Sequence, residues 1–182
     1  MAIAGLVLGV VGSVAWTVVV ILGGIFIHGL GVSHPPTASA VPCDLLENTR
    51  YHYHVGIQIT EEGNVLPIPT DVGRPGFCFY WLHMHADSPG VIHIESPVQR
   101  TFTLGDFFDV WAKSSNQAVR LDTGHVGTIT LTSGQTLVVF VDGRRYDQDP
   151  RGIPLVSGEV IQLEITPPTI DPPPAYTFPR GY

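Results

Sequence analysis

From Tyr51 to Ile59, in the run YHYHVGIQI, the side chains alternate with a period of two. Tyr51, Tyr53, Val55, Ile57 and Ile59 fall on one face, and His52, His54 and Gln58 on the other. Successive side chains of a strand point to opposite faces, so this pattern reads as a half-buried strand and commits the chain to a sheet. A second stretch, Phe77 to Glu95 (FCFYWLHMHADSPGVIHIE), reads as two strands joined by the turn Ala86-Asp87-Ser88-Pro89-Gly90. His83 and His85 share a face of the first, His93 and Glu95 a face of the second. Both faces of the first strand are bulky, with Phe77, Phe79 and Trp81 on one and Cys78, Tyr80, Leu82 and Met84 on the other, which predicts a central, buried position.

The remaining elements follow from turn and cap signals. Glu61-Glu62-Gly63-Asn64 makes a hairpin turn into Val65 to Ile68, and Pro67 and Pro69 keep that partner at a sheet edge. Thr103 with Asp106 three residues on reads as a capping box for a helix through Lys113, with Leu104, Phe107, Phe108 and Trp111 on its apolar face. Val126 to Thr132, a Ser133-Gly134 turn and Thr136 to Val141 are expected to pair as a hairpin. Asp142-Gly143 is a second two-residue turn, after which Arg144 and Arg145 face solvent, and Gly158 to Thr166 is the last strand. The order predicts an α+β domain, mainly β, over residues 43–166, as either a grasp-like sheet or a distorted β-sandwich with one packed helix.

The two ends differ from this domain. Ala2 to Ile27 carries no charge and as a helix reaches about 39 Å, enough to cross roughly 30 Å of hydrocarbon, so residues 1–28 are expected to form one transmembrane anchor. A cleaved leader fits less well, because no basic residue precedes the run and the small-residue site Ala38-Ser39-Ala40 lies far beyond it. Gly5, Gly9, Ser13 and Thr17 recur every fourth residue, a small-residue stripe that lets another helix approach closely. Residues 29–42 read as a linker rich in Gly, Pro, Ser and Ala. Residues 167–182 hold six prolines, which predicts an extended tail whose Tyr176, Phe178 and Tyr182 would anchor it on a partner surface.

Charge excludes one class of partner. Only 14 % of the 182 residues are charged, the net charge is −7 and Lys113 is the sole lysine, so there is no basic stripe for nucleic acid. The cysteines, Cys43 and Cys78, lack the spacing of a zinc knuckle or redox pair and form either one disulfide or two buried thiols. A disulfide would mean an oxidising compartment, which favours a periplasmic domain on a single-pass membrane protein.

His52, His54, His83, His85 and His93 fall on strands expected to be neighbours, and His-x-His with a further histidine suits a three-imidazole copper or zinc site. The plainer reading is a set of hydrogen-bonded histidines within the sheet. The glutamate spacing of cupins and the Met-Cys-His cluster of blue-copper sites are both missing. No nucleophile elbow or phosphate loop is present, so no enzymatic activity is expected.

The segments YHYHVGIQI, CFYWLHMHADSPGVIHIES, FTLGDFFDVW and VDGRRYDQDPRGIPLVSGEVIQLEI resemble an uncharacterised bacterial family of membrane-anchored, histidine-rich extracytoplasmic proteins. The resemblance implies fold and location and carries no activity. In layout alone, with one anchor, a small extrinsic β-rich domain and a proline-rich extension, the chain is similar to extrinsic accessory subunits of bacterial photosynthetic reaction-centre and antenna complexes. The expected function is therefore a non-catalytic scaffolding subunit contacting other membrane subunits, with a periplasmic copper or zinc binder as the alternative.

Overall fold

A computed structural model describes residues 41–182. The expected anchor, its stripe of Gly5, Gly9, Ser13 and Thr17, and the linker as far as residue 40 lie outside the described residues. Among the described residues no helix is long and apolar enough to cross a membrane.

The described chain is mainly β with one α-helix. Its strands are β1 (Cys43–Asp44), β2 (Tyr51–Glu61), β3 (Asn64–Leu66), β4 (Phe79–Tyr80), β5 (Leu82–His83), β6 (Val91–Ser96), β7 (Arg120–Asp122), β8 (His125–Gly127), β9 (Ile129–Thr130), β10 (Thr136–Val141), β11 (Arg144–Tyr146) and β12 (Val160–Thr166), with α1 (Leu104–Ser115) after β6. The main sheet runs β11-β10-β12-β2-β6-β5, and β3 pairs with β2 alone. At its centre β2 and β12 pair in parallel, Gly56 beside Val160 through Glu61 beside Ile165. All other pairs in this sheet are antiparallel.

The alternation of β2 sends Val55, Ile57 and Ile59 into the core, where they meet Ile92 and Ile94 of β6 and Ile161, Leu163 and Ile165 of β12. The other wall of that core is α1. Thr103 and Asp106 form the capping box, each side chain bonding the other's backbone N–H, and Leu104, Phe107, Phe108 and Trp111 are buried. Each buried aromatic of this size contributes on the order of 2 to 3 kcal/mol through area removed from water. The β10–β11 hairpin turns on Asp142 and Gly143, both with positive φ (49° and 71°), as a two-residue turn of this hand requires.

Two expectations are corrected. The Val126–Thr132 and Thr136–Val141 segments do not pair: β8 and β9 join β7 in a separate three-stranded sheet, while β10 lies between β11 and β12. The reason lies at Gly127, whose φ of +65° ends β8 at a point where a side chain would meet the Trp111 ring at 2.7 Å. Leu131 N–H then donates to the Gly124 carbonyl at 2.8 Å, so the Ser133-Gly134 turn links two sheets. The strand carrying His83 is also not central. It is the short edge strand β5, and its outer side is closed by a loop, with Tyr80 N–H donating to Gly73 and Met84 N–H to Val72, both at 2.9 Å. Its bulky residues are covered by irregular chain, which alternation cannot distinguish from a neighbouring strand, and Phe77 is exposed.

The proline-rich tail lies along the chain's own main sheet, on the face turned away from α1. Gln162 Nε2 donates to the Pro174 carbonyl at 2.7 Å, Ile170 N–H to Glu164 at 3.2 Å, and Tyr176 Oη–H to the Gly90 carbonyl at 2.8 Å. Tyr176 and Phe178 stack edge to face at 5.2 Å. This cover buries Gln162 and Glu164, polar residues that would otherwise face water.

Candidate metal centre

The register of three strands assembles the histidines. Across β5, β6 and β2, His83 lies beside His93, and His93 beside His54. One step along, His52 lies beside Glu95. Residues directly opposite in antiparallel strands point to the same face, so the even positions of β2 and the odd positions of β5 and β6 converge on the face away from the core. His85, two residues beyond His83, completes the group. All five sequence-predicted histidines come together, whereas His125 sits apart, with its Nδ1 2.8 Å from Asp122.

Burial is graded across this patch. His83, His93 and Glu95 are buried, His54 and His85 are half-buried, and His52 is exposed. His83 Nδ1–H donates to the Tyr80 carbonyl at 2.8 Å, which leaves the lone pair on Nε2, 2.9 Å from His85 Nε2. Fixing one ring nitrogen on a backbone carbonyl is how a metal-binding imidazole is commonly oriented. His93 Nε2 is 3.1 Å from the buried Ser88 hydroxyl. His93 Nδ1 has no hydrogen-bond partner, and neither do His54 Nε2 and Glu95 Oε2, although all three atoms are buried.

Glu95 sits at the middle, its Oε1 3.3 Å from His52 Nε2, 3.8 Å from His93 Nδ1 and 3.9 Å from His83 Nε2. Glu47, from the loop after β1, brings a second carboxylate 3.7 Å from both His83 Nε2 and His85 Nε2. Burial, aided by the neighbouring rings, lowers His54 to about 4, and burial likewise lowers His83 to about 4 against the opposing pull of the Tyr80 carbonyl. His85 is lowered by burial, by His93 and by Arg74. For Glu95 burial works upward but is outweighed by His93, His83 and His52, which hold its carboxyl below the ordinary range. Neutral imidazoles around an ionised carboxylate are donors in the state a metal cation requires.

Two sets of ligand atoms are mutually close. His83, His85, His93 and Glu95 each offer one atom within 4.8 Å of the others, and so do His52, His54 and His93. Sequence reading put Glu95 on the face of His93 but outside the ligand set, and missed Glu47 and Ser88. Glu95 was detectable from its two-residue spacing to His93; Glu47 lies in irregular chain and had no signal. Cys43 and Cys78 form a disulfide and are not ligands, and Met84 is buried in the core. Tyr182 covers the patch, its ring edge-on to His54 at 4.8 Å and to His93 at 5.4 Å. Comparison with protein-family models, curated proteins and solved structures finds no match to this chain.

Proposed function

We propose that the domain binds a copper or zinc ion through His83, His85, His93 and Glu95. One observation carries the reading: four donor atoms, from β5, from the chain just beyond it and from β6, lie within 4.8 Å of one another, with buried His93 Nδ1 and Glu95 Oε2 otherwise unpartnered. A tetrahedral ion about 2.0 to 2.2 Å from each donor needs the donors roughly 3.4 Å apart, which small side-chain adjustments reach. Three imidazoles and a carboxylate, with no thiolate or thioether, suit Zn(II) or Cu(II) better than Cu(I). The reading includes no catalytic step. The test is elemental analysis of the full chain purified without a histidine tag. A stoichiometric metal that is lost in His83→Ala with His85→Ala supports binding here, and a metal-free chain that takes up neither ion overturns it.

The sheet order, with the first long strand and the last strand parallel at the centre, supports the grasp-like alternative over the sandwich. The Cys43–Cys78 disulfide supports a periplasmic location for the domain. A second reading, a membrane-anchored scaffolding subunit of a larger complex such as a bacterial photosynthetic reaction centre, is favoured by the exposed Leu45, Leu46 and Phe77 flanking that disulfide. Co-purification from mild detergent tests it. Gly9→Ile, or Leu45→Ser with Phe77→Ser, should release partner subunits that the unaltered chain retains.

A further inference from the structure

We propose that the histidine patch is a dinuclear centre, in which a second ion sits between His52 and His54 and is joined to the first through Glu95. This rests on the metal-binding reading above and extends it from one ion to two.

Donor count is the first argument. Four imidazoles and Glu95 on one face of three neighbouring strands converge with His85 from the chain just beyond β5, and one tetrahedral ion uses four donors. His52 and His54 are left over by the first site. His52 Nε2 reaches only Glu95 Oε1, at 3.3 Å, and the buried His54 Nε2 has no partner.

Position is the second. Glu95 Oε1 is 3.3 Å from His52 Nε2 of the second set and 3.9 Å from His83 Nε2 of the first, and its other oxygen is buried and unpartnered. A carboxylate with one oxygen for each ion is a common link between metals about 3.5 to 4 Å apart. His93 belongs to both sets of close donors and lies between them; with its Nε2 held at the Ser88 hydroxyl it offers Nδ1 alone, to one of the two ions. Within the patch the buried atoms without partners, His54 Nε2, His93 Nδ1 and Glu95 Oε2, are distributed over both sets, where a single ion in the first set leaves His54 unexplained.

The two halves differ in access. In the first set only His85 is partly exposed, while the second reaches the surface at the exposed His52. The second ion is therefore the one that exchanges first, with the Tyr182 ring against His54 as the main obstacle.

The experiment is titration of the full, untagged chain with Cu(II), read by elemental analysis and by electron paramagnetic resonance. Two ions per chain are expected, with reduced double-integrated intensity and a half-field signal from a coupled pair. His52→Ala with His54→Gln should bind one ion and give the spectrum of an isolated Cu(II). His52 is exposed, so His52→Ala alone serves as the variant least able to disturb folding, and it should weaken the second equivalent at least tenfold. One ion per unaltered chain, retained in both variants, overturns the dinuclear proposal and leaves the mononuclear reading standing. Two ions without magnetic coupling also overturn it. No ion bound by the unaltered chain after titration with Cu(II) and, separately, with Zn(II) overturns the mononuclear reading itself.

Discussion

Gly56 and Tyr176 fit together as socket and plug: a Cβ on Gly56 would lie 2.7 Å from Tyr176 Cε1. Gly56 is on the histidine face of β2, two residues beyond His54, so the ring closes the sheet next to the candidate centre. Gly56→Val is expected to expel the ring. The overpacking cost is about 1 to 3 kcal/mol, and the tail loses its best anchor. Limited proteolysis should cut within residues 167–182 several times faster than in the unaltered chain. An unchanged cleavage rate would show that Tyr176 does not hold the tail.

Ser88 is fully buried, and its hydroxyl is 3.1 Å from His93 Nε2. Ser88→Ala removes no ligand and leaves His93 free to rotate. Outer-shell partners of this kind typically alter metal affinity by 10- to 100-fold. Competition against a chelator should show roughly a tenfold weaker complex, with the thermal transition of the metal-free chain moved only slightly.

Acid should destabilise the metal-free chain, and the sign follows from the histidines. His54 and His83 titrate near 4 in the folded chain against 6.5 when unfolded, burial being the main cause for each. Between these values the unfolded chain binds protons that the folded chain does not, so stability rises with pH from about 4 to about 6.5 and is level above that. Glu95, lowered from 4.5, adds a contribution that is present above its ordinary value and lost below it. Thermal melts in a chelator should therefore show a lower transition at pH 5 than at pH 7.5, and His54→Gln should flatten part of the slope. A transition level from pH 7.5 to pH 5 would mean that these rings are charged in the folded state.

The Cys43–Cys78 disulfide closes a loop of 35 residues. In the chain-entropy view such a loop contributes about 3 to 4 kcal/mol. Replacing both cysteines with Ala should lower stability by that order in urea titration. It should also weaken metal binding, because Glu47 follows β1, which the disulfide ties to Cys78, the residue before β4.

Local signals in the sequence carried local structure well. The Thr103 and Asp106 pair marked the start of α1, the 3, 4 and 7 spacing of its aromatics marked the buried face, and Asp142-Gly143 marked the β10–β11 turn. The alternation of β2 placed His52 and His54 on one face because period two follows directly from backbone geometry. What failed depended on partners distant in sequence. Nothing near Thr136 indicates that β10 will pair with β12 and leave β9 to another sheet. The bulk of Tyr80 and Leu82 does not say whether a strand or the Val72–Gly73 loop covers them. The prolines predict an extended tail with Tyr176 as an anchor, but not that the surface it meets is the chain's own sheet, where Gln162 and Glu164 bond its backbone and Tyr176 reaches the Gly90 carbonyl. Of the candidate centre the imidazoles were visible, while Glu47 and Ser88, held by irregular chain, were not.

The parallel pairing of β2 with β12 sets an order of events for a chain emerging from its N-terminus. All five histidines and Glu95 lie between residues 52 and 95, on or just beyond strands that pair with one another and can close as soon as β6 is available. The central pair must wait for Val160–Thr166, a separation of roughly a hundred residues, and contacts that distant are slow to form. For that interval β2 has an open edge bearing Ile57 and Ile59, the state in which such a strand is most exposed to pairing with another chain. The donors are thus gathered early on half a sheet, where a captured ion would hold β2, β5 and β6 together until the last strand arrives.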